Sequence, residues 1–292
     1  MTASRERNSL EDLIGAVQAH VPPEAMADFE ERVVESRLAL DRIAGHLATL
    51  ASDAHILEIG AGTFLLAGAL AGAGWRVTAL EPVSGGFDYF RRIQVAVEKE
   101  IRVRGWAIDF LRVGVEDLTG DQQFDFIFSY HVFEHVPDLR IALERTLGAL
   151  RPSGTMFIAC PNFAFPYEGH FSVPIIGNKA ITHRLFRRRI EGHKRFADPA
   201  GVWQSLNWIT AASLAVEVGR MGSATIRFRS GTIFQAFERA VRDPIFRNRH
   251  PAAVIALCRL VVFLRLHHLD RLIGHRFAPL IEADIVKAIE TR

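Results

Sequence analysis

Two glycines and a set of carboxylates carry the most readable chemistry in this 292-residue sequence. The segment HILEIGAGTFLLAGAL, residues 55–70, reads as a strand, a tight turn through Gly60, Ala61 and Gly62, and a helix. Glycine lets the chain turn sharply and lets a ligand approach the backbone, and the helix aims its first amides at the same spot. Such a turn fits a nucleotide-like cofactor. Leu65 stands where the third glycine of GxGxxG belongs, which weakens a dinucleotide reading. A bare strand-to-helix turn is the plainer alternative.

The acids are more discriminating. Glu81 ends the next strand, in VTALEPV, with Pro82 after it. A carboxylate there can accept hydrogen bonds from ribose hydroxyls. Glu58 lies two residues before Gly60. A second carboxylate beside the loop repels a pyrophosphate and suits a cation, such as a sulfonium with an amino-acid tail. Glu116 and Asp117, in VGVEDL, could accept from an adenine amino group or could belong to a solvated loop.

Candidate catalytic groups come later. Tyr130 and His131 follow a central strand and could face the donor; Tyr130 is grouped with the cofactor site and His131 with catalysis. HVFEH, 131–135, also spells the HxxEH pattern of one zinc-protease group. That motif needs a stable helix, and Pro137 follows at once, so no metal is assigned and His135 reads as structural. In PNFAFPYEGHFSVP, 161–174, the prolines exclude a plain helix and the aromatics could wall a substrate. Tyr167 and His170 are expected to border the acceptor pocket. Glu168 and His170 could supply a base, histidine being the usual choice near neutral pH. A packed loop in which His170 only makes a hydrogen bond is the alternative.

The elements that must position these residues alternate. Strands are expected at 55–60, 75–80, 111–115, 124–129 and 155–160, with helices at 64–73, 85–100 and 138–150. Such alternation builds an α/β fold with a parallel sheet covered by helices, and its ligands bind at the carboxyl ends of the strands. Helical spacing over 24–50 indicates an N-terminal cap. A helix is expected at 209–220, a strand at 224–229 and basic helices over 235–275.

These segments resemble the class I S-adenosylmethionine-dependent methyltransferase family. LEIGAG matches its glycine motif, with Phe64 where many members have a further glycine, and EP at 81–82 matches its second-strand acid. VEDL matches the adenine-side loop, and LRPSGTMFIACPN, 150–162, the turn and fifth strand. FDFIFSYHVFEHVPD, 124–138, matches the branch that includes ubiquinone-biosynthesis O-methyltransferases. The resemblance covers roughly residues 50–165. It implies a Rossmann-like, doubly wound sheet with an antiparallel seventh strand, and S-adenosylmethionine as methyl donor. The expected acceptor is a small or lipid-like molecule, and the expected acceptor atom is oxygen. The rivals are a nicotinamide-dependent oxidoreductase and a non-catalytic S-adenosylmethionine-binding scaffold. Against the first, the sequence has no Tyr-x-x-x-Lys pair and no third glycine.

The expected organisation is a helical cap at 1–53, a core at 54–230 with a substrate loop at 161–200, and 231–292 as a helical insertion followed by the last strand. That strand is expected at Ala283–Glu290 rather than through a hairpin at Ser230–Gly231. Residues 1–150 hold 14 Lys and Arg against 23 Asp and Glu, a balance of −9; residues 151–292 hold 21 against 10, a balance of +11. A basic half suits an anionic substrate, a membrane surface or nucleic acid, or pairs with the acidic half. Nucleic acid is disfavoured because no recognition motif accompanies the charge. The apolar, arginine-bearing stretch 254–277 could pack on the sheet, form a homodimer contact or lie in a membrane interface. Two cysteines, a polar start and no apolar run of spanning length lead to a cytoplasmic expectation, with peripheral membrane contact as an option.

Overall fold

The computed structural model describes residues 2–82, 91–269 and 274–289. The chain divides into two compact units. The first comprises Met1–Val132, Arg140–Phe157 and Ile285–Arg292. The second comprises Phe133–Leu139 and Ile158–Asp284.

In the first unit the order is α1 (Thr2–Gln18), α2 (Met26–Leu47), β1 (His55–Ile59), α3 (Leu65–Gly72) and β2 (Arg76–Leu80). Then come α4 (Arg91–Val103), β3 (Ile108–Leu111), β4 (Phe124–Tyr130), α5 (Leu139–Ala149) and most of β5 (Leu150–Pro161). β1 pairs in parallel with both β2 and β4, and β2 with β3. Every residue of β1 is buried, as expected for a parallel strand covered on both faces. The N-terminal helices pack close to α3: a Cβ on Gly68 would stand 2.8 Å from Leu13 Cδ2. The buried carboxylate of Glu6 takes the indole N–H of Trp75 at 2.9 Å, so a polar start still ties into the core.

The second unit holds a short antiparallel ladder, β6 (Tyr167–Glu168) with β7 (Val173–Pro174). It continues through α6 (Lys179–Glu191), α7 (Pro199–Ser205), α8 (Ala211–Met221) and β8 (Ala224–Phe228). Three helices follow, α9 (Thr232–Arg242), α10 (Pro244–Arg249) and α11 (Ala252–Phe263), before β9 (Leu280–Lys287).

The sheet has seven strands in the order β3-β2-β1-β4-β5-β9-β8. It is mostly parallel with an antiparallel strand, the Rossmann-like arrangement that the family resemblance implied. No hairpin joins β8 to its neighbour: the chain leaves β8, runs through α9–α11 and returns as β9 between β5 and β8. Arg229 seals the junction, donating from Nη2 to Asp284 Oδ1 at 2.8 Å.

Several boundaries differ from the sequence reading. The third strand lies at Ile108–Leu111, not 111–115, because Ile108 to Leu111 pair with Val77 to Leu80. Beyond it, Gly114 starts a 3-10 turn over Val115–Asp117. The last strand begins at Leu280, earlier than expected, and ends at Lys287, with Ile289 exposed; Glu290 lies outside the described residues. The helix expected over 85–100 is described from Arg91 onward, and 83–90 fall outside. The same holds for 270–273 within the expected insertion.

Candidate active site

The glycine turn is closed by its own backbone. The N–H groups of Gly60 and Ala61 both donate to the Leu80 carbonyl, at 2.8 and 3.0 Å. The N–H of Gly62 donates to Glu81 Oε2 at 2.9 Å. The amides that would cradle a pyrophosphate in a dinucleotide site are therefore taken. Gly60 has φ 71°, and a Cβ there would stand 2.1 Å from Val132 Cγ2, so the segment after β4 lies against the turn. Gly62 has φ 51°, and the position of its missing Cβ faces open space apart from the Gly60 carbonyl at 4.0 Å.

Phe64, at the N-cap of α3, keeps the left-handed backbone of a glycine (φ 64°) while burying its ring. The ring meets Phe110 edge-on with centroids 4.9 Å apart, and the Arg112 guanidinium lies 4.8 Å over it. These contacts offset a backbone cost of about 1–2 kcal/mol.

Two carboxylates sit beside this turn. Burial pushes the Glu58 carboxyl well above the usual range, the charge of Glu81 adds to the rise, and a hydrogen bond from the Ala67 backbone only partly opposes it. Burial also raises Glu81, against the Gly62 N–H and the Arg112 charge. Glu58 Oε2 and Glu116 Oε1 are buried without a hydrogen-bond partner among the described residues. Paired acids, orphaned acceptors and an open face at Gly62 fit a ligand with a cationic end and hydrogen-bond donors, as S-adenosylmethionine has.

The remaining cofactor candidates are placed as follows. Ala61 is buried and Pro82 exposed. Tyr130 ends β4 and meets the His131 ring edge-on at 4.4 Å, His131 itself holding φ 59°. Asp117 is exposed and lines a cavity of about 470 Å³ with His55, Arg76, Asp109 and Phe124, residues from the amino ends of the strands. Two participants carried no signal in the sequence: Gln94, which donates to the Gly62 carbonyl at 2.6 Å, and Arg112, whose charge acts on Glu81.

In the second unit, a carboxylate organises the loop over residues 167–171. Glu168 accepts the N–H of His170 at 2.9 Å, the N–H of Phe171 at 2.8 Å and the Nδ1–H of His170 at 2.6 Å. Burial would raise Glu168, but the His170 charge, its hydrogen bond and the two backbone amides hold it below the usual range. Burial likewise disfavours the His170 imidazolium, yet the charge and hydrogen bond of Glu168, joined by the charge of Glu134, leave its pKa raised. With Nδ1–H bound to Glu168, neutral His170 carries its lone pair on Nε2, 4.0 Å from Glu134 Oε1.

His135 stands edge-on to His170, centroids 5.3 Å apart. Ser205 gives its hydroxyl hydrogen to the Val202 carbonyl (2.8 Å) and so accepts from His135 Nδ1–H at 2.8 Å. His135 Nε2 thus also carries a lone pair. Asn207 holds the 133–136 segment, donating from Nδ2 to the carbonyls of Phe133 (2.7 Å) and Val136 (3.0 Å). Residues 131–135 are not helical, as the proline implied. Even so, Glu134, His135 and His170 bring one donor atom each within 4.8 Å of the others, close enough to share a cation or to exchange a proton. Tyr167 is committed elsewhere: its hydroxyl bonds His250 Nδ1 at 2.9 Å. Its grouping with His250, and that of His135 with His170, join residues far apart in sequence and left no spacing signal.

A methyltransferase-domain family model matches residues 29–225. An uncharacterised protein of Mycobacterium tuberculosis is 33% identical over 287 residues, 97% of each chain. A ubiquinone biosynthesis O-methyltransferase of Xanthomonas campestris is 27% identical over 182 residues, 61% of this chain and 69% of that one. Among solved structures, the phosphoethanolamine N-methyltransferase 2 of Haemonchus contortus, in complex with S-adenosyl-L-methionine, shares the fold with a TM-score of 0.50 at 14% identity. It is covered over 85% of this chain, which spans about half (51%) of that protein. Neither the oxidoreductase nor the scaffold reading is favoured by these relatives. The glycine turn, its paired acids and the family match over most of the sheet together make this chain a member of the class I S-adenosylmethionine-dependent methyltransferase family.

Proposed function

We propose that this methyltransferase acts on a hydroxyl oxygen of a small or lipid-like acceptor, with His170 as general base. The Glu168–His170 pair carries the reading: a carboxylate on Nδ1–H orients the ring and leaves Nε2 basic, as proton removal from a hydroxyl requires. The name of the Xanthomonas relative, an O-methyltransferase, agrees with oxygen as acceptor.

S-adenosylmethionine supplies a methyl group on a sulfonium, already a good leaving group. The chain's residues do the rest. Glu58 faces the cationic end, Glu81 the ribose and Glu116 the adenine, while Gly60, Ala61 and Gly62 shape the turn and Pro82 and Tyr130 flank it; Asp117, turned to the cavity at the amino ends of the strands, takes no part. His170 Nε2 takes the hydroxyl proton as the oxygen attacks, and Glu168 stabilises the resulting imidazolium. His131 orients the acceptor, and the Tyr167 ring borders it while the Tyr167 hydroxyl stays on His250. Holding the reacting atoms in line supplies much of the rate. Two thiols outside any disulfide, Cys160 and Cys258, support a cytoplasmic setting.

The test is methyl transfer from labelled S-adenosylmethionine to a panel of phenols, long-chain alcohols and amines. Hydroxyl acceptors are expected to be labelled, and His170→Asn to lower kcat by about 10²–10⁴-fold with unchanged cofactor affinity. Labelling of amines alone would overturn the acceptor assignment. Full turnover in the variant would overturn the base.

A further inference from the structure

The helices between β8 and β9 leave an apolar face uncovered. One side of α11 packs on α9 and buries Ile255. The other side exposes Ala253, Ala256, Leu257, Leu260 and Phe263, spaced at three and four residues and so on one stripe. Leu257 is 59% exposed, Leu260 51% and Phe263 82%. Leu264 and Leu266 extend the exposed apolar surface beyond the helix. A soluble surface rarely leaves so many large apolar side chains together without a partner.

The charges around the stripe identify the partner. Arg259, on the helix, and Arg265, just beyond its end, are both exposed. Across residues 244–281 the sequence has six arginines and a single acid, Asp270. A two-fold contact between copies would set this face against itself and bring like charges together. An anionic lipid surface neutralises the same arginines while its acyl region takes the leucines and Phe263. No helix among the described residues is long and apolar enough to cross a membrane, so α11 can only lie along one.

We propose that the exposed face of α11, with Arg259 and Arg265, docks this protein in the plane of an anionic bilayer. The inference is independent of which acceptor the enzyme methylates. It places the acceptor-binding unit at a surface where water-insoluble molecules concentrate.

The experiment is co-sedimentation of the full chain with vesicles of equal parts phosphatidylcholine and phosphatidylglycerol, against vesicles of phosphatidylcholine alone. Binding is expected on the anionic vesicles and should fall as salt rises. Replacing Arg259 and Arg265 by glutamine should weaken it by roughly fivefold per arginine. Leu260→Glu with Phe263→Glu should weaken it at least tenfold on both counts of charge and apolar area. Calorimetric S-adenosylmethionine affinity equal to wild type establishes that each variant is folded; should the double glutamate variant fail that check, the arginine pair carries the test. Wild type that ignores anionic vesicles, or folded variants that bind as well as wild type, would overturn the proposal. So would a wild-type dimer that ignores vesicles and becomes monomeric in the variants, which would give the face to a second copy.

Discussion

Glu81 Oε2 accepts the N–H of Gly62 at 2.9 Å, across nineteen residues of sequence. The acid at the end of β2 is therefore bound to the glycine turn before a ligand arrives, and in the proposed site the same side chain also faces the cofactor. Removing it should damage both. Glu81→Ala is expected to weaken S-adenosylmethionine binding by more than tenfold, since charge-assisted hydrogen bonds of about 1.5 kcal/mol or more each are lost. Glu81→Gln keeps an acceptor for Gly62 and should lose less. Titration calorimetry reads both, and an unchanged Kd for the alanine variant would remove Glu81 from the cofactor site.

Glu58 is expected to give the proposed site a pH dependence. Its pKa is raised by burial and by Glu81, so the carboxyl tends to hold its proton in the absence of a cation. A sulfonium and an ammonium favour the carboxylate. Affinity for S-adenosylmethionine should therefore rise with pH until Glu58 ionises without help, and binding should release a proton below that point. S-adenosylhomocysteine, lacking the sulfonium charge, should show a shallower slope. A raised carboxyl pKa also means that ionising Glu58 costs stability as pH rises through its folded-state pKa. Glu58→Gln should flatten the binding slope and raise the melting temperature near neutral pH. A slope unchanged in that variant would exclude Glu58 as its source.

At Phe64 two effects oppose each other. Glycine would relieve the left-handed backbone by about 1–2 kcal/mol. It would also empty a fully buried aromatic site, and such truncations cost about 3–5 kcal/mol. The loss is larger, so Phe64→Gly should destabilise the protein by roughly 1–4 kcal/mol in a denaturant titration. A variant as stable as wild type would show that the ring contributes little.

Glu168→Gln separates orientation from basicity. The amide cannot accept from every N–H that Glu168 now satisfies, so about 1–3 kcal/mol of stability should go. His170 also loses the charge that raises its pKa. Because the base must be neutral to accept a proton, the acidic limb of the kcat–pH profile should move to lower pH, at a reduced plateau. An unmoved limb would mean that another group sets it.

Catalysis through His170 as a base needs no metal. Turnover is expected to survive dialysis against a strong chelator, despite the closeness of donor atoms on Glu134, His135 and His170. Loss of turnover, with recovery on adding Zn²⁺ or Mn²⁺, would reassign those three residues to a cation.

Local signals in the sequence translated well. Gly60, Gly62 and Glu81 act within one strand–turn–helix–strand unit, so their spacing already encodes their proximity. The acid-rich run at Glu116 and Asp117 blurred the end of β3, whose place is set by pairing with Val77–Leu80 rather than by its own composition. The cluster around His170 was only half legible. Glu168 lies two residues away and could be named, but Glu134 and His135 reach it through tertiary packing, in a motif that resembled a protease pattern. Gln94 and Arg112 stand on a helix and beyond a strand with nothing in their neighbours to mark them. Tyr167 could be picked out but not paired, since His250 lies 83 residues on.

Lys287 Nζ donates to the Leu150 carbonyl across 137 residues. It marks how late β9 reaches its place beside β5. At ordinary translation rates of about 5–20 residues per second, β5 leaves the ribosome on the order of ten seconds before β9 exists to cover it. Through that interval the nascent sheet presents an unpaired strand flanked by apolar residues, a ready template for pairing with other chains. The yield of soluble enzyme in a cell should therefore depend on chaperone supply during synthesis more than on the stability of the finished molecule.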